Sequence, residues 1–115
     1  MKICVTAATG SLDSTMDPHF GRAPYFIIVD PETMEFEALE NPGVSTLGLG
    51  IQVAQKIAKR DFNVLLTGKI GPEAFRVLSE ENVMVVTGVS GSVTSAVEQF
   101  KKGALKPADE PSWKI

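Results

Sequence analysis

Residues 3–8, Ile-Cys-Val-Thr-Ala-Ala, are continuously apolar or small. A strand with one wet face alternates; a run without alternation suits a central strand covered on both faces. Two more runs of this kind follow, Val64-Leu65-Leu66-Thr67 and Val83-Met84-Val85-Val86-Thr87. Each leads into a glycine-bearing turn and then a helical pattern. Between the first and second runs come two further strand-like stretches, Ala23 to Asp30 and Met34 to Glu40. Pro31-Glu32-Thr33 separates them as a hairpin turn, with proline fixing φ at the corner. Met34-Glu35-Phe36-Glu37-Ala38-Leu39-Glu40 alternates in period two. Its expected inward residues are Met34, Phe36 and Ala38, with Glu35, Glu37 and the out-of-phase Glu40 toward water as a guarded edge. The order is three strands, then helix, strand, helix, strand, helix. A hairpin joined to such units demands a mixed α/β sheet with helices on its faces.

The helices have their own signals. Asn41-Pro42-Gly43 breaks the strand pattern, and Ser45 or Thr46 can cap a helix running to about Arg60. Leu47, Ile51, Ala54, Ile57 and Ala58 form its apolar stripe. Gly48 and Gly50 in its first turn suggest close backbone approach to the sheet or a ligand. Pro72 stands at a first helical position, with Ala74, Phe75, Val77 and Leu78 inward and Asn82 able to end the helix. The last helix turns Val93, Ala96, Val97 and Phe100 inward and stops at Gly103.

At 115 residues the chain is expected to be one domain with a real core. A net charge of −3 argues against a general nucleic-acid binder. The single cysteine fits a reducing compartment and excludes a multi-cysteine zinc site within this chain. Cys4, inside a buried strand, reads as a small hydrophobe. The first residues do not resemble a signal peptide, and no apolar stretch approaches membrane-spanning length. The expectation is a cytoplasmic protein, monomer or weak homo-oligomer, with no nucleic-acid or membrane partner. Residues 104–115 read as a mobile tail in which Trp113 is the residue able to dock.

The one histidine lies in Asp17-Pro18-His19-Phe20-Gly21-Arg22-Ala23-Pro24, a loop marked by Pro18 and Gly21 and feeding an aromatic, β-branched strand. If strands 1, 4 and 5 are parallel, this loop leaves from the carboxyl edge of the sheet. Gly68-Lys69-Ile70-Gly71 and Gly88-Val89-Ser90-Gly91-Ser92 share that edge. Ligands of open α/β sheets bind there, and helix N-termini favour anions. Candidate contacts are the amides of Gly68, Gly71, Gly88 and Gly91 and the hydroxyls of Ser90 and Ser92. Arg22 could supply counter-charge and His19 could ligate a metal or cluster; the alternative is that both are solvated loop residues with local hydrogen bonds. The residues alone leave a second reading equally open, in which the glycines only make tight strand–helix turns. A catalytic centre finds less support. The first strand has no carboxylate for a two-metal site, and one histidine cannot serve a triad and everything else.

The wording of these loops resembles the dinitrogenase iron–molybdenum cofactor-binding family. The resemblance rests on Asp17 to Pro24, Gly50 to Gln55, Thr67 to Phe75 and Thr87 to Val93, in the family's order, and spans about residues 1–103. It implies a ribonuclease H-like sheet of order 3-2-1-4-5, with strand 2 antiparallel to the rest and 104–115 outside the domain. It implies a non-catalytic carrier of an anionic iron–sulfur or iron–molybdenum–sulfur cluster. His19, Phe20, Gly21 and Arg22 and the two glycine turns would then line the site. Metallocluster donor and acceptor proteins are the implied partners. The alternative is a regulatory or protein-interaction module with an anion-binding edge and no cluster, acting through the strand Met34 to Glu40.

Overall fold

The computed structural model describes residues 1–41 and 50–107. The unbroken apolar run forms β1, Ile3–Ala7, and all five residues are fully buried. Its two faces feed two separate cores. Ile3, Val5 and Ala7 join Ile27, Val29, Val64, Leu66 and Val86 on one side, whereas Cys4 joins Phe26, Ile28, Leu65 and Val85 on the other. Strand β2, Tyr25–Val29, runs antiparallel to β1, and β3, Phe36–Glu40, antiparallel to β2. β4, Val64–Leu66, and β5, Met84–Val86, are parallel additions on the other side. The sheet order is β3-β2-β1-β4-β5, as the family resemblance implied.

Helices α1, Gly50–Ile57, and α2, Pro72–Glu80, cover the Cys4 face through Val53, Ala54, Ile57, Ala74 and Leu78. Helix α3, Val93–Lys101, covers the opposite face through Val93, Ala96 and Val97. Pro72 opens α2 as expected. Asn82 (φ 63°) and Gly103 (φ 75°) end α2 and α3 in left-handed conformations. In both cases the next residue's amide donates back to the third residue from the helix end: Val83 to Leu78, and Ala104 to Gln99. This paired closure satisfies carbonyls that a bare helix end would leave orphaned. Of the expected stripe of α1, Leu47 lies outside the described residues, as do Ser45, Thr46 and Gly48, and the Ile51 side chain is not described. Trp113 also lies outside them. Beyond Gly103, Leu105 is half-buried against the α3-side core. No helix among the described residues is long and apolar enough to cross a membrane.

The inward phase expected for β3 is reversed. Leu39, paired with Phe26, is the residue packed against the core, whereas Phe36 and Ala38 are exposed. Phe36 and Ala38 do lie on the α3 side, paired with Val29 and Ile27, yet both are exposed on this edge strand. Met34 is not in the strand. It occupies the hairpin turn with φ 62° and packs there against the α3-side core. Period two identifies the strand and its two faces, but whether a face is buried depends on what covers it.

Candidate functional site

The loop of His19 and the two glycine turns meet at the carboxyl edge of the parallel strands, and that loop is a strap across it. Its path is fixed by backbone pairing. The Ala8 amide donates to the Thr15 carbonyl at 3.0 Å, and Met16 donates to Gly91 at 2.8 Å. Farther along, Lys69 donates to Pro18 at 2.6 Å and Phe20 to Lys69 at 3.0 Å. The strap thus crosses from the β5–α3 turn to the β4–α2 turn, over the end of β1. Met16 is buried in the core under α3, and Phe20 in the core under α1 and α2. Each end therefore carries a hydrophobic anchor on a different side of the sheet. Phe20 also stacks at a tilt on Phe26, ring centroids 5.4 Å apart, so its ring faces inward rather than toward the edge.

Between the anchors, Asp17 accepts the His19 amide through Oδ1 at 2.9 Å, a local turn typical of aspartate. His19 is half-buried. Phe20–Arg22 forms one 3-10 turn that leaves Arg22 exposed. The far end of the strap is held by Asn41, which follows β3 and is 4% exposed. Its Nδ2 donates to the carbonyls of Gly21 and Ala23 at 3.2 and 2.8 Å. In the sequence Asn41 reads as a simple strand breaker. Its clamp links positions about 20 apart and becomes visible only with the β2–β3 hairpin closed.

The two glycine turns adjoin, since the Gly88 amide donates to Gly68 at 2.9 Å. Their roles differ. A Cβ at Gly68 would stand 2.6 Å from the Pro18 carbonyl oxygen, so this glycine lets the strap close. At Gly71 and Gly88 the same construction meets nothing within 4 Å; these positions face open space. Gly88 (φ 73°) and Gly91 (φ 98°) also need their left-handed backbone. Ser90 is exposed. Ser92 caps α3, its side chain accepting the Ser95 amide at 3.0 Å. The next amides of α3 are committed to the loop before the strap: Val93 donates to Ser14 and Thr94 to Leu12. Helix α2 differs, because its N-cap is Gly71, which offers no side-chain acceptor.

The structure adds Lys69 to this edge, a residue that the sequence alone does not single out. His19 and Lys69 form a parallel bridge, a register that sets the two side chains side by side. Lys69 and Arg22 are both exposed, so they bring two cations to this side of a chain of net charge −3. A lysine inside a glycine turn is too common a signal to be found without the strap's register.

The donor set limits what this edge can hold. Among the described residues no group of three or more His, Cys, Asp or Glu is arranged to hold a metal ion. Cys4 is 0% exposed in the middle of the sheet, and burial pushes its thiol far above the usual range, so it stays protonated. His19 is the edge's imidazole. Such an edge suits an anion that brings most of its own ligands. A cavity of about 560 Å³ lined by Lys2, Ile28, Phe36, Arg60 and Asp61 lies at the opposite, amino end of β1 and β4, and none of the expected site residues lines it.

Fold and edge together define a small α/β binding domain with a strapped, cationic, glycine-rich carboxyl edge. The chain belongs to the dinitrogenase iron-molybdenum cofactor family, which it matches over residues 1–103. This is a family of small cofactor-binding or carrier proteins. The apo form of the orange protein from Desulfovibrio gigas is 39% identical, with a TM-score of 0.91 over 97% of this chain and 96% of that one. A Thermotoga protein of the DUF35 family, described as NifB-like, is 29% identical with a TM-score of 0.78, covering 92% and 91% of the two chains. An uncharacterized protein of Methanocaldococcus jannaschii is 30% identical over 98 residues, 82% of this chain and 83% of that one.

Proposed function

We propose that this protein is a non-catalytic carrier whose cargo is an anionic iron–sulfur-type metallocluster, an iron–molybdenum cofactor or a precursor of that kind. The observation that carries the reading is the bridge register of His19 and Lys69 on an exposed edge, in a chain of the iron-molybdenum cofactor family. Such a cargo presents sulfides and iron. Lys69 and Arg22 offer counter-charge, the open position at Gly71 admits close approach to the backbone, and His19 offers one donor to iron; the Gly88 amide, committed to Gly68, is not among the contacts. Ser90 and the Gly91 turn are further candidate contacts on the same edge. Few protein ligands favour release as well as capture, which a carrier needs. Donor and acceptor proteins for the cluster are the corresponding partners.

Anaerobic incubation with ferrous iron and sulfide, with and without molybdate, tests the reading. After gel filtration, a visible absorption band and an electron paramagnetic signal should travel with the protein. A colourless, metal-free protein fraction in both cases would count against it. The second reading, a protein-interaction module acting through β3, draws on the exposure of Phe36, 45% of its surface, on that strand. Partner capture without cluster uptake would favour it.

A further inference from the structure

Beneath the strap, at the carboxyl ends of β1 and β4, lie two buried hydroxyls. Thr6 and Thr67 are both 0% exposed. Thr6 Oγ1 donates to the Asp17 carbonyl at 2.8 Å and lies 3.1 Å from Thr67 Oγ1. A hydroxyl has one proton to give. The Asp17 carbonyl can only accept, so the proton of Thr6 goes there and Thr67 donates to Thr6. The Asp17 amide in turn donates to the Thr6 carbonyl at 3.1 Å. One residue of the strap is thus held at both its N–H and its C=O by one residue of β1. The next link is the Asp17 carboxylate, which accepts the His19 amide at 2.9 Å.

We infer that the Thr67–Thr6 hydroxyl pair is the positioning device of the strap, fixing Asp17 and through it the direction in which His19 meets the edge. Neither hydroxyl reaches the surface, so neither threonine contacts cargo. Valine has nearly the same shape and would fill both positions with less desolvation. What valine cannot do is donate to the Asp17 carbonyl. The hydrophobic anchors Met16 and Phe20 hold the ends of the strap; the hydroxyl pair sets the orientation between them. The functional part of this inference rests on the carrier reading. The positioning part does not.

The experiment compares Thr6→Val, Thr6→Ser and Thr67→Val by amide hydrogen exchange on the metal-free protein, followed by anaerobic loading with ferrous iron and sulfide. Thr6→Val should speed exchange at Asp17 and His19 by about tenfold, the effect of losing one buried hydrogen bond, while Val64 to Leu66 stay protected. Thr6→Ser should return both amides to wild-type rates. Thr67→Val, which keeps the bond to Asp17, should fall between, and it serves if Thr6→Val does not fold. Unchanged exchange at Asp17 and His19 in Thr6→Val and Thr67→Val would overturn the inference. So would equal loosening in Thr6→Ser, which would make the methyl rather than the hydroxyl responsible. If wild type takes up no cluster yet the strap loosens as expected, the positioning role stands and the carrier reading fails. If both hold, cluster affinity should fall with Thr6→Val and recover with Thr6→Ser.

Discussion

Gly68 lies so close beneath Pro18 that a side chain of any size would displace the strap: its Cβ would meet the Pro18 oxygen at 2.6 Å and the Pro18 Cα at 2.8 Å. Both obstacles are backbone, which cannot rotate away. Gly68→Ala is therefore expected to cost roughly 1–3 kcal/mol, in the range of overpacking, and to raise exchange at Phe20 and Lys69. Gly71→Ala meets nothing within 4 Å and should cost under about 1 kcal/mol as an N-cap change. Urea unfolding of the two variants checks the contrast; equal costs would mean that the strap does not depend on the gap at Gly68.

Asn41→Ala removes the donor to Gly21 and Ala23. Leaving these carbonyls without it should cost about 1–3 kcal/mol. The loosening should appear first at residues 21–24, by amide exchange. Wild-type stability would show that water replaces the clamp without loss.

Cys4 should resist alkylation in the folded protein and react only when denaturant opens the sheet, because burial holds its thiol protonated. The sign of the linked pH effect follows. A free thiol ionises near 9.0, whereas the native thiol keeps its proton to higher pH. Above about pH 9 the unfolded chain binds fewer protons than the native one, so stability falls as pH rises, by up to about 1.4 kcal/mol per pH unit. Cys4→Ala should flatten that slope. Urea midpoints at pH 8 and pH 10 for both proteins provide the measurement, and parallel slopes would contradict it.

The sheet could be read from residues 3–8, 64–67 and 83–87 because a strand buried on both faces leaves no polar alternation. Asn82 and Gly103 were legible as helix stops because their chemistry is local. The phase of β3 was not, since Phe36 and Leu39 differ only in which face a distant helix covers. The edge was found through its glycines, but their division of labour was hidden. Gly68 serves the strap and Gly71 faces space, a difference set by Pro18, some 50 positions earlier in the chain. Ser92 and the first amides of α3 looked like an open anion site. They are committed to Ser95, Ser14 and Leu12, partners that only the folded loop supplies. Lys69 and the Thr6–Thr67 pair were missed for the same reason, as both depend on contacts between β1, β4 and the strap.

Salt separates two contributions at the edge. Lys69 and Arg22 are exposed, so their attraction to an anionic cluster should weaken as ionic strength rises. Lys69→Ala and Arg22→Ala should each lower affinity at low salt and converge toward wild type at about 0.5 M salt, where screening is strong. A constant deficit across salt would mean that these side chains act through packing rather than charge.

The most direct measurement is an anaerobic titration of the wild type and His19→Ala with ferrous iron and sulfide, followed by absorption and electron paramagnetic resonance. The carrier account predicts saturable uptake by wild type and an affinity lower by about tenfold or more in His19→Ala, with circular dichroism unchanged because the strap is anchored by Met16 and Phe20. Equal affinities in the two proteins would remove His19 from the site, and no uptake by wild type under any loading condition would contradict the account as a whole.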